Sequence, residues 1–543
     1  MLKALPLGVM DYHKLISNNY YIVDKTLMIK DFLERKSTVT LITRPRRFGK
    51  TLNMSMLSEF FDITKDSKEI FKDTKIMNSE YINEMNQWPT IFISFAGAKN
   101  SLENIIQCIK KELQNEYDRY EYIFNNMSIF EEKNYNLIID FLLATDYSMI
   151  GIENSLSFLM KMLEKYYHKK VMLFIDEYDT PFIEAHVNGF YKDIKGGLSS
   201  LLHNSLKLSP NLQYAMMTGI QRVAKENIFS DLNNLVVCTV KDDEYSQYFG
   251  FSKEEVKELL EYYGIEFNEE VKRMYDGYHI GNEDIYNPWS VINYAQRKKL
   301  EPYWVNTSSN TMIKNAIKES DHVFHSEYER LIQDGELETR ITLETSFYEY
   351  SSTSSLWGLL VNAGYLTIQE TINSLDSIYK VRIPNQEVQR EFINLTEYYL
   401  SINDSRLSQM IRYLIEEKKE YFLEEYRNIL LLPSYYDLKN ENSYHMMMLG
   451  MCVCLSHEYE IKSNRENGKG RSDIVLKSKT KGPSFVIEFK YTREEENLEI
   501  LADKAIEQII NHQYDEGLDG KVIYIGLAHH GKDVVMRWKE IMK

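Results

Sequence analysis

Leu41-Ile42-Thr43-Arg44-Pro45-Arg46-Arg47-Phe48-Gly49-Lys50-Thr51 decides the fold of the larger part of this 543-residue chain. An apolar run from Val39 to Ile42 enters a loop ending Gly49-Lys50-Thr51, and a helical pattern with Leu52, Met56, Leu57 and Phe60 follows. Strand, loop and helix in that order form a cradle for phosphate. Amides at a helix N-terminus point at the anion, and a glycine lets the backbone come close to it. Gly49 supplies that approach, Lys50 reaches β and γ oxygens, Thr51 ligates Mg²⁺, and Arg47 joins the residues expected to meet the nucleotide. Arg44 falls where such loops usually place their first glycine, so the loop entry must turn differently here.

A partner motif lies downstream. Val171-Met172-Leu173-Phe174-Ile175-Asp176-Glu177 is an apolar run ending in two acids, the form of a Walker B strand. A parallel strand covered on both faces is apolar throughout, as this one is. Asp176 would hold Mg²⁺ through water and Glu177 would polarise an attacking water. Gln213 to Thr218 reads as a further strand, with Thr218 at its end as a polar sensor for the γ-phosphate. Arg222 has two readings: a sensor or arginine finger for a neighbouring subunit, or a surface arginine without a catalytic role.

Working outward to the other end, Gly470-Arg471-Ser472-Asp473-Ile474-Val475-Leu476 is followed by Phe485-Val486-Ile487-Glu488-Phe489-Lys490. The intervening lysine-rich segment ends Gly482-Pro483, so the two apolar runs read as a hairpin. Side chains alternate along a strand, which puts Glu488 and Lys490 on one face, where Asp473 can join them. Two carboxylates form a hard-oxygen site for Mg²⁺, with Mn²⁺ as an alternative, and a lysine beside them can orient water at a phosphodiester. The bland alternative is a surface hairpin with ordinary salt bridges. From Ile461 to Arg493 there are nine Lys/Arg against three Asp/Glu, inside a chain of net charge −17. Such a basic island suits a phosphate backbone, although charge runs are often only solvated faces.

The C-terminal pattern resembles the PD-(D/E)xK nuclease superfamily over about the last hundred residues. That resemblance implies a metal-assisting role for Glu441 and a supporting role for Gln508, on a helix expected from Ala502 to Tyr514. The rest of the chain resembles the AAA-ATPase-like family that precedes such a domain in many bacterial proteins. The residues that carry it include Tyr21 to Thr26, Arg44 to Leu52, Asp176-Glu177-Tyr178-Asp179-Thr180-Pro181 and Thr218-Gly219-Ile220. Asn287-Pro288-Trp289-Ser290, Tyr303-Trp304-Val305-Asn306-Thr307 and Ile383-Pro384-Asn385 carry it further. The resemblance implies that arginine is usual at the loop entry.

Together these readings predict an α/β protein. It has a P-loop NTPase parallel sheet over 1–240, a helical lid over 241–300, and a winged-helix-like region and helical connector over 301–432. A restriction-endonuclease-like α/β domain occupies 433–543. A helical pattern is expected from Ser252 towards Arg297, and a helix followed by two strands from Ser354 to Ile383. Four cysteines show neither metal-ligand spacing nor a paired framework, which fits a reduced cytoplasm. No signal peptide or membrane span is evident. The expected activity is ATP binding and hydrolysis coupled to Mg²⁺-dependent cleavage of nucleic acid, DNA favoured over RNA, in defence or mobile-element biology, with a homo-oligomer as a possible assembly. The alternative is a nucleotide-dependent switch or scaffold that binds nucleic acid without cutting it.

Overall fold

The architecture comes from a computed structural model. It describes residues 2–145, 149, 151–207, 209–223, 234–304, 311–318, 320–345, 352–399, 404–431, 444, 447–448, 451–452, 455, 458–463, 466–467, 470–492 and 497–543. The chain divides into two compact units: Met1–Ala316 with Glu338–Val388, and Ile317–Leu337 with Gln389–Lys543.

The first unit is built on β1 (Val39–Thr43), β2 (Thr90–Ser94), β3 (Val171–Asp176), β4 (Leu212–Gly219), β5 (Arg222–Val223) and β6 (Leu235–Cys238). Among the described residues, a five-stranded sheet runs β2-β3-β4-β1-β6 with every neighbouring pair parallel. This is the parallel sheet of a phosphate-loop fold. The strands are apolar on both faces because helices cover both. Leu41, Ile91, Leu173, Ile175 and Met217 pack with the helices Leu102–Arg119, Ser155–Tyr167 and Tyr191–Leu206. The alternate residues Ile42, Phe174 and Met216 face the opposite way, onto Met54, Leu57 and Phe60 of helix Lys50–Phe61. Strand β4 lies between β1 and β3, so the ends of three strands open on one crevice.

Beyond the sheet, helix Lys253–Tyr262 starts at a capping box in which Ser252 and Glu255 exchange side chain-to-backbone hydrogen bonds. The continuous helical pattern expected up to Arg297 is interrupted. Helix Glu269–Tyr275 is followed by an antiparallel pair, β7 (Tyr278–Ile280) and β8 (Glu283–Ile285), before helix Pro288–Arg297. The reason is local: Gly281-Asn282 between two three-residue runs is hairpin chemistry and not helix interior. Farther on come β9 (Glu336–Arg340) and β10 (Glu344–Thr345), the latter parallel to β5. Helix Thr353–Ala363, β11 (Thr367–Asn373) and β12 (Ile378–Arg382) follow in the helix–strand–strand order expected, and β9 completes a β11-β12-β9 sheet.

In the second unit, β13 (Tyr459–Ser463) is followed by the two-residue pair β14 (Glu466–Asn467) and β15 (Gly470–Arg471). Then come β16 (Ile474–Ser478), β17 (Ser484–Tyr491), β18 (Lys521–His530) and β19 (Asp533–Met542). The sheet order is β13-β16-β17-β18-β19, with β17 and β18 parallel and the other neighbours antiparallel. Ile474, Ile487, Phe489 and Ile525 face a core shared with helices Asp404–Ile415 and Lys419–Leu430, through Leu407, Met410, Phe422 and Tyr426. Val475, Val486 and Val522 face helix Leu498–His512 through Ile509. Among the described residues, no helix is long and apolar enough to cross a membrane.

Candidate functional site

The phosphate loop is shaped by a buried arginine. Arg44 Nη1 donates to the carbonyls of Thr43 (2.9 Å) and Cys238 (3.0 Å), and Nη2 donates to that of Glu244 (3.2 Å). Burial holds its guanidinium down to about 10, still charged at neutral pH. The side chain therefore ties the end of β1 to the end of β6, which is how the loop enters without a first glycine. At the loop exit Gly49 has φ +81, a left-handed conformation that suits glycine, and it caps helix Lys50–Phe61. Lys50 Nζ donates to the carbonyls of Arg44 (3.0 Å) and Pro45 (2.8 Å). Burial lowers its pKa, while Glu177, Asp176 and Asp179 act the other way.

Asp176 is the hub of the crevice. Its Oδ2 accepts from Thr51 Oγ1 (2.8 Å) and Ser94 Oγ (3.3 Å), and its Oδ1 from Thr218 Oγ1 (2.5 Å). Hydroxyls from β2, β4 and the phosphate-loop helix thus converge on the acid at the end of β3. Burial raises the Asp176 pKa, and the hydroxyl bonds oppose it. Glu177 has φ +50 and its Oε2 accepts from Thr180 Oγ1 (3.0 Å). Arg47 lies over the Trp289 ring, 4.2 Å from its centre. The structure therefore gathers Lys50, Thr51, Asp176 and Thr218, with Gly49 at the turn and Glu177 beside them. Arg222 is placed by its backbone in β5, opposite Glu344; its side chain lies outside the described residues.

A cavity of about 400 Å³ opens on this loop. Arg46, Lys50, Thr51 and Glu177 line one part of it; Tyr21, Phe251, Trp289 and Ile292 line another. Charged and flat apolar walls in one cavity suit a ligand with an anionic tail and a planar head. The Tyr21 to Thr26 stretch forms part of this wall. Lys25 anchors it to the capping-box residue Glu255 at 2.7 Å, and Asp24 caps Thr26 at 2.9 Å. Two side chains that carry no assigned role complete the crevice. Ser94 is the third hydroxyl on Asp176. Asp179 Oδ2 accepts from the amides of Ile220 (2.8 Å) and Gln221 (2.9 Å), pinning the turn after Thr218. Burial pushes the Asp179 carboxyl up to about 6. The spacing Asp176-x-x-Asp179 carried the signal, but only the fold shows which turn it grips.

In the second unit, β16 and β17 pair Ile474 with Ile487, which brings Asp473 beside Glu488. The Asp473 amide donates to Glu488 Oε2 (3.3 Å), and the Phe489 amide donates to Asp473 Oδ2 (2.7 Å). Lys490 Nζ donates to Glu488 Oε1 (3.1 Å) and to the Phe489 carbonyl (2.7 Å). Glu488 is only 2% exposed. Its burial follows from Gly526, its register partner on β18. A Cβ at Gly526 would stand 2.6 Å from the Ala502 carbonyl, so helix Leu498–His512 lies against the sheet at that point. Burial raises both carboxyl pKa values, and the Asp473 charge raises Glu488 further.

Gln508 lies on that helix, where its Nε2 donates to Tyr514 Oη (3.1 Å); the structure gives it no hydrogen bond to the three-residue cluster. Glu441 lies outside the described residues. Among the described residues, no group of three or more His, Cys, Asp and Glu is arranged to hold a metal. The two carboxylates therefore fit a divalent cation only with further oxygen ligands from water or phosphate.

Residues 6–229 match the family model described as AAA-ATPase-like, predicted AAA-ATPase. Residues 439–539 match the PD-(D/E)XK nuclease superfamily model. A curated relative, the "Uncharacterized protein in vnfD 5'region" of Azotobacter chroococcum mcd 1, is 26% identical over 398 residues, spanning 71% of this chain and 68% of that protein. With the parallel sheet around Lys50 and the mixed sheet around Glu488, these matches identify an AAA-ATPase-like domain and a C-terminal PD-(D/E)XK nuclease superfamily domain in one chain.

Proposed function

We propose that the chain is a metal-dependent nuclease whose activity is governed by ATP bound in the first unit. The observation that carries the proposal is the meeting of Asp473, just before β16, and Lys490 of β17 with the buried Glu488. A divalent cation, Mg²⁺ or Mn²⁺, would supply Lewis acidity and an activated water when held by Asp473 and Glu488. Two desolvated carboxylates repelling each other gain from a cation between them, which fits that donor set. Lys490, already on Glu488, is placed to orient the attacking water and to offset charge that develops on the phosphate. The substrate under this reading is nucleic acid, with DNA favoured, and the protein acts in the cytoplasm.

In the first unit, Lys50 neutralises the β and γ oxygens of ATP. Thr51 and Asp176 would hold Mg²⁺, Glu177 polarises water, and Thr218 reports on the γ-phosphate through its bond to Asp176. The test is cleavage of plasmid and single-stranded substrates with Mg²⁺ or Mn²⁺, with and without ATP. Asp473→Ala and Glu488→Ala should abolish cutting. Lys490→Ala should abolish it while leaving metal binding intact or tighter. If all three variants cut as the wild type does, the site lies elsewhere. In calorimetry Lys50→Ala should lose ATP, whereas Glu177→Gln should bind it without turnover.

A further inference from the structure

Apart from Trp289 in the cavity wall, Asn287-Pro288-Trp289-Ser290, Tyr303-Trp304 and Ile383-Pro384-Asn385 have no part in the nucleotide chemistry above, yet all three stretches supply partners to, or adjoin, one carboxylate, Glu387. Asn287 Oδ1 accepts from the Ser290 amide (3.2 Å) and caps helix Pro288–Arg297. Asn385 Oδ1 accepts from the Val388 amide (3.0 Å) and caps helix Gln386–Tyr399. Glu387 stands in the first turn of the second helix and takes bonds from the first turn of the other. Ser290 Oγ donates to it (2.9 and 2.8 Å to its two oxygens), and so does the Trp304 amide (2.7 Å). Glu387 is 1% exposed, so these bonds form away from water, where they hold their partners most firmly.

From Glu387 the contacts lead to the phosphate loop. Trp304 Nε1 donates to the Arg46 carbonyl (3.3 Å), and Trp289, the neighbour of Ser290, carries the Arg47 guanidinium on its face. Phe48 packs edge-on against Tyr278 with ring centres 5.0 Å apart. Arg47 needs such a hold, because its φ of +71 is unfavourable for any residue with a side chain.

We propose that Glu387 is a positioning residue for nucleotide binding: it fixes Trp289 and Trp304, and these hold Arg46 and Arg47 in the loop conformation that receives the phosphates. The inference rests on the nucleotide reading of the first unit. It is tested on the full chain with ATP·Mg²⁺, by calorimetry and by tryptophan emission, since Trp289 sits under a loop arginine. Glu387→Gln leaves an amide N–H facing the donors, and Trp304→Phe removes the N–H that meets Arg46 together with part of the buried indole. Each should weaken ATP at least tenfold at a temperature where the variant is folded, and Glu387→Gln, which keeps every tryptophan, should also shrink the emission change at saturating ATP. A role in packing alone would move the unfolding midpoints and leave the ATP affinity of both folded variants, and the emission change of Glu387→Gln, intact. If Glu387→Gln does not fold, Trp304→Phe decides the matter. ATP binding lost in Lys50→Ala but equal to wild type in Glu387→Gln and Trp304→Phe overturns this inference alone. A wild type that binds no ATP overturns the nucleotide reading, and this inference with it.

Discussion

A guanidinium at position 44 does by hydrogen bonding what a glycine does elsewhere by lacking a side chain. Arg44 is fully buried and satisfies three backbone carbonyls, so its replacement leaves those acceptors in a dry interior. Arg44→Ala should destabilise the first unit by about 3–5 kcal/mol, since each orphaned buried acceptor costs about 1–3 kcal/mol. Urea unfolding followed on that unit checks it, and an unchanged midpoint would contradict the bonding just described. Arg44→Gly restores the commoner loop residue but none of the bonds, and should be no better. The sequence showed that position 44 departs from the usual loop. It could not show the remedy, because two of the three acceptors lie about 200 residues away.

Elements set the second group of expectations. Gly526→Ala places a methyl 2.6 Å from a helix carbonyl, so helix Leu498–His512 must lift from β17 and β18. Unit two should lose about 1–3 kcal/mol by overpacking, and cleavage should fall with it as Glu488 gains water. A variant that cuts at the wild-type rate would show that helix contact is dispensable. At the start of helix Gln386–Tyr399, burial pushes Glu387 up from its ordinary 4.5 to about 7, although three hydrogen bonds oppose the shift. A raised acid is a proton that the folded state keeps and the unfolded state releases. Its contribution is full below pH 4.5 and is lost as pH rises towards 7. The stability difference, wild type minus Glu387→Gln, should therefore decline over that window by on the order of 3 kcal/mol. A flat difference in thermal melts would refute it. The strands were legible because apolar period and terminal acids are local: β3 ends at Asp176 and β17 alternates Glu488, Phe489, Lys490. Glu387 was not, because its partners come from positions 290 and 304 and no spacing announces that meeting. The supporting role of Gln508 rests on the superfamily resemblance, while its bond to Tyr514 depends on the turn that follows the helix.

At the scale of the whole chain, two separate cores predict two separable transitions. Helices Asp404–Ile415 and Lys419–Leu430 bury Leu407, Met410 and Tyr426 with the β16–β18 strands, so they should melt with the nuclease sheet. Calorimetry should show ATP raising one transition and Mn²⁺ the other, each by the linkage of its own site, about 2.7 kcal/mol at a hundred times Kd. A single transition raised equally by both ligands would argue against independent cores. Cleavage that responds to ATP, and changes again in Glu177→Gln, would show that the sites communicate, because a ligand shifts an equilibrium only by its differential affinity.

If Glu387 positions the phosphate loop through Trp289 and Trp304 as proposed, the same contacts set an order of assembly on the ribosome. Synthesis runs from the N-terminus at about 5–20 residues per second, so residues 39–51 emerge roughly 20–70 s before residue 387. The loop can form on its strand during that interval, but Trp289, Trp304 and then Glu387 must follow before Arg46 and Arg47 are held. Residues 473–490 emerge later still. Under the proposed function, a nascent chain would therefore complete its nucleotide site before Asp473 and Glu488 emerge, and any capacity to cut would arise only after the means to govern it.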